Sequence, residues 1–204
     1  MLFYNNHSIQ ISRASKFLLI SSSLYYLFTI NFSTFQPIKN LNFINAMHVL
    51  KDKPFPKGIT LKNQDNEDVN LDTMVGTGKP SIVFFYPKDE TYGCTQEVCH
   101  FRDSYSVFSE AGATVLGISP DSPDSHKNFI AKQNLPFQLL SDSQGEARKA
   151  FVVQQQFMGM VNGRVTYLIN RDGIIVDVFN SQLNFSGHAK KAVEFVKNQM
   201  ASDK

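Results

Sequence analysis

The chain has 204 residues, 42% of them apolar and 19% charged, which suits one well-buried domain behind a leader and leaves too little for two. Its formal charge of +2 divides unevenly: residues 1 to 51 hold Arg13, Lys16, Lys39 and Lys51 without a single acid, so the remainder carries all 18 acids against 16 bases. A body at a formal −2 with no basic cluster excludes nucleic acid as its main partner, because phosphate neutralisation needs concentrated positive charge.

Residues 1 to 51 read as a targeting leader, removed or disordered in the mature protein, and residues 52 to 204 as the folded domain. Arg13 and Lys16 precede the apolar run Phe17 to Ile30, which has the flank and core of a signal peptide. The run is short for a membrane span and holds Ser21, Ser22 and Ser23, so no stable membrane insertion is expected once the leader is gone. The acid-free, Asn- and Ser-rich stretch that follows has transit-peptide composition, and Ser33 to Pro37 loosely resembles the phenylalanine cleavage motif of two-part plastid leaders. A plastid is the expected destination, a secondary one if the two-part leader reading holds, with mitochondrion or secretory pathway as alternatives.

From Lys53 onward, strands and helices alternate. Ile59 to Leu61 and Val69 to Leu71 flank Asp65-Asn66 and predict a hairpin. The run Ser81 to Tyr86, stopped by Pro87, predicts a central strand buried on both faces. Val98, Phe101, Tyr105 and Phe108 form one apolar stripe, so a single helix is expected over Thr95 to Glu110, ended by Gly112. Ala113 to Ile118 is the next strand. Asp121 or Ser122 caps a helix starting near Pro123, with Phe129 and Ile130 facing inward. A short strand, Phe137 to Leu140, and a helix, Glu146 to Phe151, precede the strands Val165 to Ile169 and Ile174 to Phe179, joined at the turn-forming Asp172-Gly173. A final helix runs from Gly187 to Met200. The order predicts an α/β, thioredoxin-like fold, a central mixed β-sheet flanked by helices, with an extra N-terminal β-hairpin.

The two cysteines, Cys94 and Cys99, lie five positions apart, too close for a structural staple, which gains most by closing a long loop. Cys94 enters the first turn of a helix after a central strand, where unpaired amides and the helix dipole favour an anion. Its thiol pKa is therefore expected below the free value of about 8.5. On an intact helix residues i and i+5 sit with Cα atoms roughly 8 to 9 Å apart. A disulfide requires less than about 7 Å, so if the pair bonds, the start of the helix must unwind.

The stretch Pro87, three residues, Thr91, two residues, Cys94, together with Cys99, Phe101-Arg102-Asp103 and Gly163-Arg164-Val165-Thr166-Tyr167, resembles the atypical two-cysteine peroxiredoxins of the peroxiredoxin Q, or bacterioferritin-comigratory, subfamily of the AhpC/TSA family. The likeness runs from about Lys53 to Val196. It implies a thioredoxin-dependent peroxidase without cofactor or metal, acting on hydrogen peroxide and alkyl hydroperoxides. Cys94 would be the peroxidatic sulfur and Cys99 its partner in an intramolecular disulfide, reduced by thioredoxin or a similar dithiol. Thr91 and Arg164 would bind the peroxide with Cys94, Pro87 would shield the sulfur, and Glu97 would orient Arg164. Because the resolving sulfur shares the chain, a monomer is expected. Tyr92 departs from the proline of many relatives, and Arg102 is assigned to the helix surface or to a place behind the site.

Two other classes compete. A copper carrier could combine Cys94, Cys99 and His100 with His126 or His188, although the cysteine spacing does not fit and both distant histidines read as solvated surface residues. A thioredoxin-fold redox sensor would share the first oxidation step but would not turn over.

Overall fold

The computed structural model describes residues 48–156 and 158–202, and the leader expected over residues 1–51 lies almost wholly outside them. Of that stretch, His48 to Lys51 are described. His48 Nε2 lies 3.1 Å from the Tyr167 hydroxyl, and Lys51 pairs with Asp177 at 3.6 Å.

Among the described residues seven strands form one mixed sheet: β1 (Thr60–Asn63), β2 (Asp68–Asn70), β3 (Ser81–Phe85), β4 (Thr114–Ser119), β5 (Gln138–Ser141), β6 (Val165–Ile169) and β7 (Ile175–Asn180), in the order β2-β1-β5-β4-β3-β6-β7. The middle three, β3, β4 and β5, are parallel; β6 and β7 run antiparallel on one side and the β1–β2 hairpin adds to β5 on the other. This is the expected thioredoxin-like architecture with its additional hairpin.

Every residue of β3 is buried, because its alternating side chains feed two cores. Ile82, Phe84 and Tyr86 enter a core with Val98, Phe101, Phe129 and Ala192, supplied by helices α1 (Tyr92–Asp103), α2 (Tyr105–Glu110), α3 (Pro123–Gln133) and α5 (Phe185–Ala201). Val83 and Phe85 enter the other, with Leu71, Val165 and Phe151, beneath α4 (Glu146–Ala150) and the N-terminal segment. Gly117 on β4 is required by this packing: a Cβ there would lie 2.6 Å from Leu139 and 2.7 Å from the Phe84 ring.

The single helix expected over Thr95 to Glu110 is instead two. The chain leaves helical geometry at Ser104 (φ −98°, ψ 1°) and restarts as α2, while α1 begins three residues earlier than expected, at Tyr92. A continuous apolar stripe does not reveal such a break, because both pieces bury the same side. Ser122, not Asp121, caps α3 by accepting from the Ser125 amide at 3.3 Å. Asp121 is drawn away to the Ser119 hydroxyl and the Asp89 amide.

Candidate active site

Helix α1 starts directly beyond β3, and Cys94 is its third residue. Thr91 is the N-cap residue but its side chain does not cap; its hydroxyl turns back to donate to the Lys88 carbonyl at 3.0 Å. The first-turn amides are thus left without a side-chain acceptor from Thr91, where the positive end of the helix favours an anion. Cys94 itself is 0% exposed, a free thiol packed among Val98, Phe84 and Ala189.

Over this sulfur lies Arg164, the residue before β6. Its three nitrogens serve three partners: Nη2 donates to Cys94 Sγ at 3.3 Å, Nη1 donates to Glu97 Oε2, and Nε donates to the Gln182 carbonyl at 3.3 Å. Burial works against the guanidinium charge, but the attraction of Glu97 and Cys94 outweighs it and holds Arg164 above its ordinary range. Gly93 makes the approach possible, since a Cβ there would stand 2.7 Å from the Phe185 ring and 3.3 Å from Arg164 Nη2. Phe185 in turn covers the guanidinium, whose carbon is 5.0 Å from the ring centre.

The other residues singled out from sequence divide as follows. Glu97, Arg164 and Cys94 come together in one buried cluster. Pro87 is half-buried where β3 ends, and Thr91 is exposed at the mouth of α1. Tyr92 is exposed and meets Phe185 edge to face at 6.5 Å. Cys99 is not at Cys94: it points to α3, where its thiol donates to Gln133 Oε1 at 3.5 Å. Arg102, half-exposed, reaches the same place, and its Nη1 donates to the Gln133 carbonyl at 2.8 Å.

His126 and His188, expected at the surface, are both 0% exposed. Their spacing carried the signal: His126 precedes the buried Phe129 by three residues and His188 precedes the buried Ala192 by four, so each shares the inward face of its helix. Asp89 gathers His126 Nδ1 (2.9 Å), the Ser125 hydroxyl (2.7 Å) and the Tyr86 hydroxyl (2.7 Å), pinning the loop before Cys94 to α3. Glu90, at φ 61°, pairs with Lys132 of the same helix. Arg148 on α4, 8% exposed, donates from Nη2 to the Tyr86 carbonyl at 3.0 Å and adds a second buried cation within Coulombic reach of Cys94.

Burial raises the Glu97 carboxyl to about 7 even with Arg164 opposing it, and burial lowers His188 to about 4. The 3.4 Å contact between His188 Nδ1 and Glu97 Oε1 is therefore not an ion pair, because the imidazole is neutral wherever the carboxylate is charged. Stability follows with opposite signs. The Glu97 contribution is complete below its unfolded value of 4.5 and is lost as pH rises through about 7; that of His188 is complete above 6.5 and lost as pH falls toward 4. The Glu97 displacement corresponds to roughly 3 kcal/mol. The two slopes oppose each other between about pH 4.5 and 6.5, so in chemical denaturation at a series of pH values Glu97→Gln is expected to gain stability relative to wild type as pH rises from about 4.5 to 7.

A buried thiol at the head of a helix, held against a fixed guanidinium on a thioredoxin-like sheet, is an arrangement suited to thiol redox chemistry. Comparisons with known proteins give the same class a family. The chain belongs to the AhpC/TSA family, whose pattern matches residues 52–178, and within it to the peroxiredoxin Q, or bacterioferritin-comigratory, subfamily. It is 43% identical over 143 residues to the chloroplastic peroxiredoxin Q of Suaeda salsa, covering 70% of this chain and 66% of that one, slightly under two thirds of the relative's length. It is also 43% identical to the chloroplastic peroxiredoxin Q of Sedum lineare, covering 70% of this chain and 76% of the relative. Among solved structures it resembles the bacterioferritin comigratory protein of Xanthomonas campestris, described for its alkyl peroxide reduction activity, with a TM-score of 0.62 and 32% identity over 69% of this chain and 90% of the other.

Proposed function

We propose that the protein is a thiol peroxidase that reduces hydrogen peroxide and alkyl hydroperoxides through Cys94. The observation that carries this reading is the 3.3 Å contact between Arg164 Nη2 and the buried Cys94 Sγ, at a helix start where negative charge is favoured. A thiolate held there attacks the nearer oxygen of the hydroperoxide. The S–O bond forms, the O–O bond breaks, and the departing oxygen takes a proton to leave as water or alcohol, with Cys94 now a sulfenic acid. Arg164 stabilises negative charge on the sulfur before the step and on oxygen during it. Glu97 holds the guanidinium in place, Thr91 offers its hydroxyl to the peroxide, and Pro87 keeps water from the sulfur.

Cys99 then attacks the sulfenic sulfur, an S–S bond forms, and the oxygen leaves as water. A dithiol donor, thioredoxin in this reading, accepts the disulfide by exchange and returns both thiols. The whole cycle is completed within one chain, which is consistent with a monomer. The chloroplastic relatives and the acid-free leader composition support a plastid as the site of action. Among the described residues no helix is long and apolar enough to cross a membrane.

Turnover of hydrogen peroxide and tert-butyl hydroperoxide, coupled to thioredoxin, thioredoxin reductase and NADPH, tests this function. Multiple turnovers support it, and a single stoichiometric oxidation that thioredoxin fails to reverse contradicts it. Within the same assay Arg164→Met is expected to slow the first step by about a hundredfold or more. Arg164→Lys is expected to recover only part of that loss, because one ammonium cannot serve Glu97, Cys94 and the Gln182 carbonyl from the positions of three guanidinium nitrogens.

A further inference from the structure

Behind Glu97, on the side away from Arg164, is a buried group of polar side chains that the peroxidase chemistry leaves unused. His188 on α5 presents Nε2 to the Ser181 carbonyl at 2.9 Å and Nδ1 to the Thr166 hydroxyl at 2.7 Å; His188, Thr166 and Glu97 are each 0% exposed. A carbonyl oxygen can only accept, so the one hydrogen of the neutral ring is on Nε2 and Nδ1 is a bare acceptor. Thr166 therefore donates to Nδ1.

Glu97 Oε1 lies 3.4 Å from that same Nδ1 and has no hydrogen-bond partner among the described residues, whereas Oε2 is taken by Arg164. If the carboxyl is ionised, Oε1 and Nδ1 meet lone pair to lone pair between side chains that are both 0% exposed. A proton on Oε1 converts the same contact into a donor facing an acceptor, in competition with the Thr166 hydroxyl for a single lone pair. The groups around Glu97 that carry or can carry charge are Cys94 on its own helix, Arg164 at β6 and His188 on α5.

We propose that His188 and Thr166 are positioning residues that set the protonation of Glu97 and, through it, the share of the Arg164 charge left for Cys94. Glu97 and Cys94 are the two potential anions beside one guanidinium, so they compete for it: a protonated Glu97 leaves the charge to the thiolate, and an ionised Glu97 draws it away. The apolar face of α5 is thus coupled to the reactivity of a sulfur that His188 does not touch. This inference rests on the reading that Cys94 is the reacting sulfur.

The two residues have opposite expected effects. Thr166→Val removes the competing donor, frees Nδ1 for the Glu97 proton, and strengthens the hold of Arg164 on Cys94. His188→Phe removes the acceptor and its lone pair, so the Glu97 proton is held less tightly and the hold on Cys94 weakens. Thiolate absorbance is to be titrated in reduced protein carrying Cys99→Ser, so that Cys94 alone reports. Thr166→Val is expected to move the midpoint of thiolate formation to lower pH and His188→Phe to higher pH, each by about half a pH unit, the scale of one hydrogen bond. Both shifts are expected to vanish in a Glu97→Gln background, where position 97 has no proton to gain or lose. Shifts of the same size with Glu97→Gln present, or no shift in either single variant, would overturn the proposal. Should His188→Phe fail to fold, Thr166→Val carries the test by itself. The titration needs no peroxide, so a protein that titrates as described but does not reduce peroxide would sink the peroxidase reading and leave this coupling standing.

Discussion

Cys94→Ser is expected to abolish rapid reaction with peroxide altogether, whereas Cys99→Ser still consumes one equivalent and then stalls. The asymmetry follows from where the two sulfurs sit. Cys94 is buried at a helix start beneath Arg164, so the thiolate form is served by a cation at 3.3 Å and by the positive end of the helix dipole. A serine hydroxyl in the same place is a far weaker nucleophile and cannot be ionised usefully by so modest a field. Cys99 is half-buried, and its nearest polar partners are the neutral Gln133 side chain and, beside it, Arg102. Nothing in that setting bears on the first step, so stopped-flow fluorescence or competition with a reference thiol protein is expected to give Cys99→Ser an unchanged initial rate. Loss of the fast phase in Cys99→Ser as well would show that the two sulfurs do not divide the work in this way.

The second large effect is conformational. Forming the Cys94–Cys99 bond is expected to unwind α1 over most of Cys94 to Arg102, because five residues of intact helix hold the two Cα atoms roughly 8 to 9 Å apart while a disulfide requires less than about 7 Å. The contacts that must break can be named. Cys94 leaves the core cluster and Arg164; Cys99 leaves Gln133; and Arg102 is drawn off the Gln133 carbonyl at the end of α3. Val98 and Phe101, both fully buried, are on the same turns, and exposing either costs about 1.5 to 3 kcal/mol. The oxidised protein is therefore expected to be several kcal/mol less stable locally, to lose helical circular dichroism, and to show fast amide exchange confined to this helix. Amide protection of residues 94–102 that is equal in both redox states would contradict the unwinding.

The loop before Cys94 should stay in place during that change. Asp89 is tied to Tyr86, Ser125 and His126, and Glu90 to Lys132, so the segment between β3 and α1 has its own attachment to α3, independent of the helix that opens. The opening thus begins at a fixed edge, and α1 moves while the sheet and α3 remain.

Much of this arrangement was legible in the residues. The buried central strand announced itself by an unbroken apolar run, and the position of Cys94 at a helix start followed from Pro87 and the apolar stripe behind it. The family pattern marked Arg164, seventy positions away in sequence, which no local periodicity could have brought to the sulfur. What escaped was of two kinds. The interruption at Ser104 leaves the burial pattern intact on both sides, so a period of 3.6 does not detect it. The buried histidines escaped for a different reason: an imidazole is read as polar and assigned to solvent, although His126 and His188 sit at core spacing and have partners that come from other elements, Asp89 from the loop and Thr166 from β6. A polar side chain on an apolar stripe is a sign of a distant partner, and sequence alone does not say which.

The most direct measurement is the mass of the intact wild-type protein, quenched after one equivalent of hydrogen peroxide, followed by peptide mapping. The account predicts loss of two hydrogens with Cys94 and Cys99 joined in one chain. Two free thiols, a persistent gain of oxygen at Cys94, or a bond between chains would contradict it.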